Sequence, residues 1–287
     1  MPDPPVALAA SSALSLRKIA AWRGIRALAW DGDVLYGCRG YEIVRVRVCE
    51  EIGAGAAWEP VARFRPAWWR NVTSRSALTY RLVRDGFHAL AIVGGKTTFS
   101  TMVGAVPGAI VTRTPESDKF HITHRIRRGT RPLHITAVPS GTICWGEYFD
   151  NPGRAEVHIY ASTDHGRTWQ IAYTFPAGSI RHIHNIVYDR CGDCLWILTG
   201  DEGEECKVLC ASCDLLSVER SVEVVLSGNQ QTRSVAVVPT QNGLYLSTDT
   251  PLEKNHVYRL DRTGSVQRVG DLASSSIYGC RVGKALF

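Results

Sequence analysis

The sequence predicts an all-β fold, a six-bladed β-propeller of four-stranded antiparallel blades. Three observations lead there. One phrase recurs about every 50 residues, each copy carries hairpin chemistry, and no long stretch has a helical period. A repeat of that length belongs to propellers and solenoids, whose units bury their apolar faces only by stacking on neighbours.

The recurring phrase is an Arg, a short apolar run, a turn, and a second apolar run ending in small or acidic residues. It reads RALAWDGDVLYGCRG from Arg26, RSALTYRLVRDGFHALAIVGG from Arg75 and RPLHITAVPSGTICWGEYF from Arg131. It returns as RHIHNIVYDRCGDCLWILTGD from Arg181 and RSVAVVPTQNGLYLSTDT from Arg233, and more weakly as SSIYGCRVGKALF from Ser275. The runs are rich in Val, Ile, Tyr and Trp. Turn residues such as Asp31, Gly32, Gly141, Gly192 and Gly243 separate them, which is the pattern of a hairpin. Third and fourth runs follow, for example EVHIYAS then WQIAYTF, or HVYRLD then SVQRVG. Four antiparallel strands per repeat make a propeller blade. Blades are therefore expected to start near residues 26, 75, 131, 181, 233 and 275 of a single domain spanning 1–287. The last copy has sequence for about two strands, so either the segment Val6 to Trp22 completes it or the chain is truncated or open.

The stretch ASTDHGRTWQ, Ala161 to Gln170, falls in the turn between the third and fourth strands of the third blade. The Asp164 carboxylate can accept the turn's own N–H groups, Gly166 permits a left-handed backbone, and Trp169 can pack under the hairpin. Asp164 thus reads as a residue that closes a turn. Ser162, Asp164, Gly166, Thr168 and Trp169 together resemble the Asp-box, or BNR repeat, of the sialidase superfamily of propellers. Degenerate copies surround Asp214 and Asp261. The resemblance implies that the box lies on the face away from the active site. It also implies three Arg on a substrate carboxylate, a Tyr paired with a Glu as nucleophile, and an Asp as acid. The matching candidates are Arg131, Arg181 and Arg233 for the clamp, Tyr278 with Glu147, and Asp201 or Asp249. The N-terminal arginine motif of that family is not found.

Strands alternate direction within a blade, so first-strand starts and second-strand ends share one rim. That rim is expected to carry Arg26, Arg75, Arg131, Arg181 and Arg233 between Arg39, Lys96, Glu147, Tyr148, Asp201 and Asp249. Such a ring either captures a carboxylate or sulfate through bidentate Arg or clamps blade to blade. His134, His182 and His184 break the repeat, and the period of two puts His182 and His184 on one face. Near Glu147 and Asp201 they are candidates for a divalent metal site or a proton shuttle. Polar residues of the loops after the second strands, Tyr148, Asn151, Arg154, Asp249, Glu253 and Asn255, have the character of a sugar site.

With 287 residues, 45% hydrophobic and 21% charged, the chain can bury a full core. No apolar run approaches the roughly 20 residues of a membrane span, and MPDPPVALAASSALSLRK lacks the basic start of an export signal. The net charge of +6 is spread along the chain, without a basic block. The expectation is a cytoplasmic protein that contacts neither membrane nor nucleic acid and takes a glycan or anionic sugar. Nine Cys do not form a small disulfide framework. Two CxxC pairs, Cys191 with Cys194 and Cys210 with Cys213, have the spacing of a structural zinc site. Three functions stay open: a glycoside hydrolase of sialidase type, a non-catalytic propeller for glycan or protein recognition, and a metal-dependent sugar lyase or hydrolase.

Overall fold

A computed structural model describes residues 21–48, 56–74, 78, 79, 82, 85–94, 100–219, 221–282, 285 and 286. The first sheet holds β1 (Arg26–Asp31), β2 (Val34–Arg39), β3 (Glu42–Arg47) and β4 (Glu59–Arg63). After a short helix, α1 (Trp68–Thr73), the second holds β5 (Ala89–Val93), β6 (Thr101–Val106), β7 (Ala109–Arg113) and β8 (His121–Arg125). The third holds β9 (Thr136–Ala137), β10 (Ile143–Gly146), β11 (Val157–Ser162) and β12 (Gln170–Phe175). The fourth holds β13 (Ile183–Asp189), β14 (Cys194–Thr199), β15 (Lys207–Ser212) and β16 (Val222–Ser227). The fifth holds β17 (Ser234–Thr240), β18 (Gly243–Thr248), β19 (Asn255–Leu260) and β20 (Val266–Leu272). Each sheet is an antiparallel meander in chain order.

Among the described residues there are five four-stranded blades, not six. The repeat expected from Ser275 yields only two two-residue strands, β21 (Arg281–Val282) and β22 (Ala285–Leu286), in a separate hairpin. Val6 to Ala20, most of the segment expected to complete a sixth blade, lies outside the described residues, as do Arg75 and Lys96. The second blade is also out of phase with the expectation. The run HALAIVGG, read as a second strand, supplies the first strand β5, because TMVGAV and AIVTR follow as β6 and β7.

Apolar side chains join consecutive blades. Tyr36, Ile43, Phe87 and Val111 form the core between blades one and two, and Ala91, Val103, Ile143 and Trp145 that between two and three. Ile159, Ile183, Ile186 and Ile197 fill the third junction, and Trp196, Leu198, Val237 and Leu246 the fourth. Inner strands reinforce these cores: Asn185 Nδ2 donates to the Val235 carbonyl at 2.9 Å. After the fifth blade, the Ser276 N–H donates to the Thr248 carbonyl at 3.0 Å, and Ile277, Tyr278 and Gly279 run along the inner strands of blades three to five.

Three inner strands share one irregularity. The ladder skips a residue between Ala27 and Ala29 in β1, between Ile183 and Asn185 in β13, and between Ser234 and Ala236 in β17. The bulged residues are Leu28, His184 and Val235. A bulge leaves its residue outside the ladder and re-aims its side chain, and all three line the axial cavity.

The opposite face carries the turns expected to be structural. Asp164 Oδ1 accepts the Ser162 hydroxyl at 2.7 Å and the N–H groups of Arg167 and Thr168 at 3.0 and 2.9 Å. Its Oδ2 accepts the Thr168 hydroxyl at 2.6 Å. Gly166 sits at φ 79°, and a Cβ there would meet Val103 Cγ2 at 2.6 Å. The turn is thus pressed against the second blade, where Trp169 Nε1 also donates to Thr123 Oγ1 at 3.2 Å. Asp261 repeats the device in the fifth blade, accepting the N–H groups of Thr263 and Ser265 at 2.9 Å each.

Blade-to-blade clamping by an Arg and a carboxylate occurs on this face too. Fully buried Asp189 accepts Arg262 from the fifth blade through both oxygens, at 2.5 and 3.2 Å. Trp196 Nε1 adds a bond at 3.1 Å. Burial pushes the Asp189 carboxyl up, but Arg262, Trp196 and two backbone N–H groups outweigh it and hold it below the ordinary range. Asp164 is likewise held down, by Thr168, Ser162 and Arg167 against desolvation.

Two outcomes follow. Asp164→Ala should lose about 1 kcal/mol or more of unfolding free energy in urea, with no change in ligand binding per folded molecule. Stability supplied by carboxyls held below the unfolded value of about 3.9 is full above that pH and lost as pH falls through the folded values. Urea midpoints should therefore decline below about pH 4, and less steeply in Asp189→Asn.

Candidate functional site

A cavity of about 630 Å³ lies on the axis, and every blade contributes to its wall. The first blade gives Arg26, the second His88, and the third His134 and Tyr148. The fourth gives His184 and Asp201, and the fifth Arg233 and Asp249. Leu28, Ala29, Leu90, Ile135 and Val235 supply apolar surface, and Ile277 and Tyr278 border the cavity from the segment after the fifth blade. The shared rim places these groups: inner strands begin there and second strands end there.

His182, His184 and Asp201 form the tightest cluster. Their ligand atoms all lie within 4.8 Å of one another. His182 Nε2 and His184 Nε2 are 3.1 Å apart. Asp201 presents Oδ1 to His184 Nε2 at 3.3 Å and Oδ2 to His182 Nε2 at 3.4 Å. Both imidazoles are buried, with side-chain exposures of 6% and 3%. His182 Nδ1 lies 3.1 Å from the Phe149 carbonyl oxygen and His184 Nδ1 3.1 Å from that of Ser234. A carbonyl oxygen only accepts, so each Nδ1 carries a proton. The ring of Tyr148 covers His182, with centroids 4.3 Å apart.

Asp201 is also the hub of an ion-pair network. Arg233 Nη2 reaches its Oδ1 at 3.0 Å and Asp249 at 3.7 Å, while Arg181 Nη1 reaches its Oδ2 at 3.6 Å. Desolvation pushes the Asp201 carboxyl up, yet hydrogen bonds and charge from His182 and His184 hold it well below the carboxylate range.

Arg26 stands apart from this network. Its Nη1 lies 2.8 Å from His88 Nδ1, and among the described residues it has no carboxylate within ion-pair range. Burial first, and then the Arg26 charge, bring His134 down to about 4, so this imidazole is neutral at physiological pH.

Several expected site residues are engaged elsewhere. Glu147 is buried and accepts Arg128 through both oxygens, Nε at 3.0 Å and Nη2 closer still, and also the His158 N–H at 2.9 Å. It does not line the cavity that Tyr278 borders, so the Tyr–Glu pair is not assembled. Nor is a three-arginine clamp. Arg233 lines the cavity but is held by Asp201 and Asp249, and Arg181 is held by Asp150 and Asp201. Arg131 is half-buried ahead of β9 and outside the cavity wall. Asn255 folds its own loop, accepting the Thr248 hydroxyl and the Thr250 N–H at 2.9 Å each. Glu253 accepts Gln231 on the exposed loop.

The four-thiolate site is not formed either. Cys194 and Cys210 share one sheet face, where a hydrogen bond between the two thiols lowers that of Cys210. Cys191 is exposed on the hairpin turn, and Cys213 contacts Asp193 at 3.7 Å. Among the described residues the only grouped metal-type ligands are His182, His184 and Asp201. His134 is therefore not part of the expected three-histidine set, and Asp201 takes its place. Sequence reasoning missed His88 and Arg128. His88 precedes β5 as Arg26 opens β1, a correspondence hidden by the phase slip in the second blade.

No family model and no curated protein matches the sequence. Solved structures do. A nidogen/laminin complex aligns with TM-score 0.52 and 15% identity over 85% of this chain and 78% of that chain. The tricorn protease aligns at 0.56 and 13% over 86% of this chain and 26% of the other. The extracellular domain of a hybrid two-component system from B. thetaiotaomicron aligns at 0.55 and 14% over 89% and 29%. The chain is a β-propeller. At these identities the likeness carries the fold alone, and the last two propellers are parts of much longer chains.

The Glu147 assignment has a direct check. Removing one partner of a buried ion pair leaves the other charge uncompensated. Glu147→Ala should cost about 3 kcal/mol or more in urea unfolding, where a solvated catalytic carboxylate would cost little.

Proposed function

We propose that this propeller binds an anionic saccharide in its axial cavity, with the sugar carboxylate or sulfate received by Arg26. The observation that carries the reading is Arg26 itself, a guanidinium on the cavity wall opposed by neutral imidazoles rather than by a carboxylate. Arg forms paired hydrogen bonds to planar anions. Asp249 and Tyr148 offer hydroxyl-binding groups across the cavity, and the apolar patch of Leu28, Leu90 and Val235 suits a sugar's C–H face. The Asp-box turn at Asp164 supports a likeness to sialidase-superfamily propellers, and such turns also occur in non-catalytic propellers.

Recognition fits better than glycoside hydrolysis. A glycosidase acid needs a raised pKa in order to protonate the leaving oxygen. Asp201 is held in the opposite direction, and Glu147 is locked in its pair with Arg128.

The test is a binding screen of uronate-, sialate- and sulfate-bearing oligosaccharides against neutral ones, followed by calorimetry. Acidic glycans should bind selectively, and Arg26→Ala should weaken them about tenfold or more at unchanged thermal stability, as expected for a charge-assisted hydrogen bond. Equal binding by Arg26→Ala, or a preference for neutral glycans, would sink the proposal. Release of reducing ends would return the glycosidase reading.

A further inference from the structure

The charge around Asp201 does not balance. Ion pairs there link Arg154, Arg181 and Arg233 with Asp150, Asp201, Glu202, Glu205 and Asp249. Five carboxylates against three guanidiniums leave two negative charges, and the imidazoles of His182 and His184 stand among them. Both Nδ1 atoms face carbonyl oxygens, and the two Nε2 atoms lie 3.1 Å from each other and within 3.4 Å of the Asp201 carboxylate. Two imidazole nitrogens and a carboxylate packed this closely call for positive charge among them, and a bound metal ion supplies it while using all three groups as ligands.

We propose that His182, His184 and Asp201 bind one first-row divalent cation of the zinc or ferrous type. The spacing fits. Imidazole nitrogen and carboxylate oxygen bind such an ion at about 2.0–2.2 Å, so ligand atoms at about 90–110° to one another stand about 3.0–3.5 Å apart. The two Nε2 atoms are 3.1 Å apart, the carboxylate reaches His184 through Oδ1 at 3.3 Å and His182 through Oδ2 at 3.4 Å, and one ligand atom from each residue lies within 4.8 Å of the other two, so a small closure of the carboxylate completes the set. The donor set, two imidazoles and one carboxylate with no thiolate, suits these ions and leaves coordination positions open. The surrounding shell is in place as well. Each ligating imidazole donates its other N–H to a carbonyl, and the carboxylate is held by Arg233, the arrangement that fixes ligand tautomer and orientation in metal sites. His184 and Asp201 line the cavity, so a ligand oxygen has access to the ion from that side.

The site stands independently of the saccharide reading, and its test uses metal alone. Tag-free protein would be stripped with EDTA, incubated separately with Zn²⁺, Mn²⁺ and Co²⁺, desalted, and assayed for metal content and thermal midpoint. The expected result is close to one ion retained per chain for at least one metal, with a raised midpoint. The Co²⁺ protein should show visible d–d bands that mark nitrogen ligation. His184→Gln and Asp201→Asn should each lower affinity at least tenfold and remove the bands, while Arg26→Ala and Cys194→Ser/Cys210→Ser retain them. If His184→Gln does not fold, His182→Gln serves in its place. Retention of no metal, equal retention in the ligand variants, or loss in the cysteine variant would each overturn the assignment. Glycan binding that persists without metal would leave the Arg26 reading intact, so the two can fail separately.

Discussion

Everything on the functional rim depends on apolar packing between consecutive sheets. A single blade exposes two broad apolar faces and cannot bury either alone. Once Ile159, Ile183 and Ile197 close the third junction and Trp196, Val237 and Leu246 the fourth, the inner strands are fixed around the axis with their starts on one side. Residues far apart in sequence then become neighbours at the cavity wall. Arg26 meets His88 across 62 positions, and Asp201 meets Arg233 across 32. The chemistry is inherited from the stacking, because no local segment brings these groups together.

The two faces divide the polar work. Away from the cavity, carboxylates are saturated by the turn that carries them or by a neighbouring blade, as Asp164 and Asp189 are, and their role is complete within the fold. At the cavity, Asp201 is shared among two imidazoles and two guanidiniums, and among the described residues Arg26 has no carboxylate within ion-pair range. A propeller can hold such unbalanced groups because the apolar cores between its consecutive blades do not depend on them.

Much of this was legible in the sequence. The repeat phrase set the rim, so His182, His184, Asp201, Arg233 and Asp249 were expected on one side, and the Asp164 turn on the other. What stayed hidden has physical causes. Apolar runs alone do not tell a first strand from a second, which shifted the phase of the second blade and concealed His88. Arg128 lies outside the repeat phrase, so nothing marked it as the partner that removes Glu147 from the site. The CxxC spacings were sound as spacings, but strand pleating turned Cys194 and Cys210 to one face and left Cys191 and Cys213 elsewhere. The weak copy at Ser275 had the composition of a blade without the length of one.

The bulges in β1, β13 and β17 have a further meaning. Leu28, His184 and Val235 occupy equivalent places, outside the hydrogen-bonded ladder and on the cavity wall. A ladder residue is constrained by its cross-strand partner and by the core beneath it, whereas a bulged one answers mainly to the space it faces. The fold thus places one side chain from each of three blades on the cavity wall without a ladder partner. Two are hydrocarbon and one is an imidazole, so the same backbone device supplies the cavity with apolar wall in two blades and with its chemistry in the third.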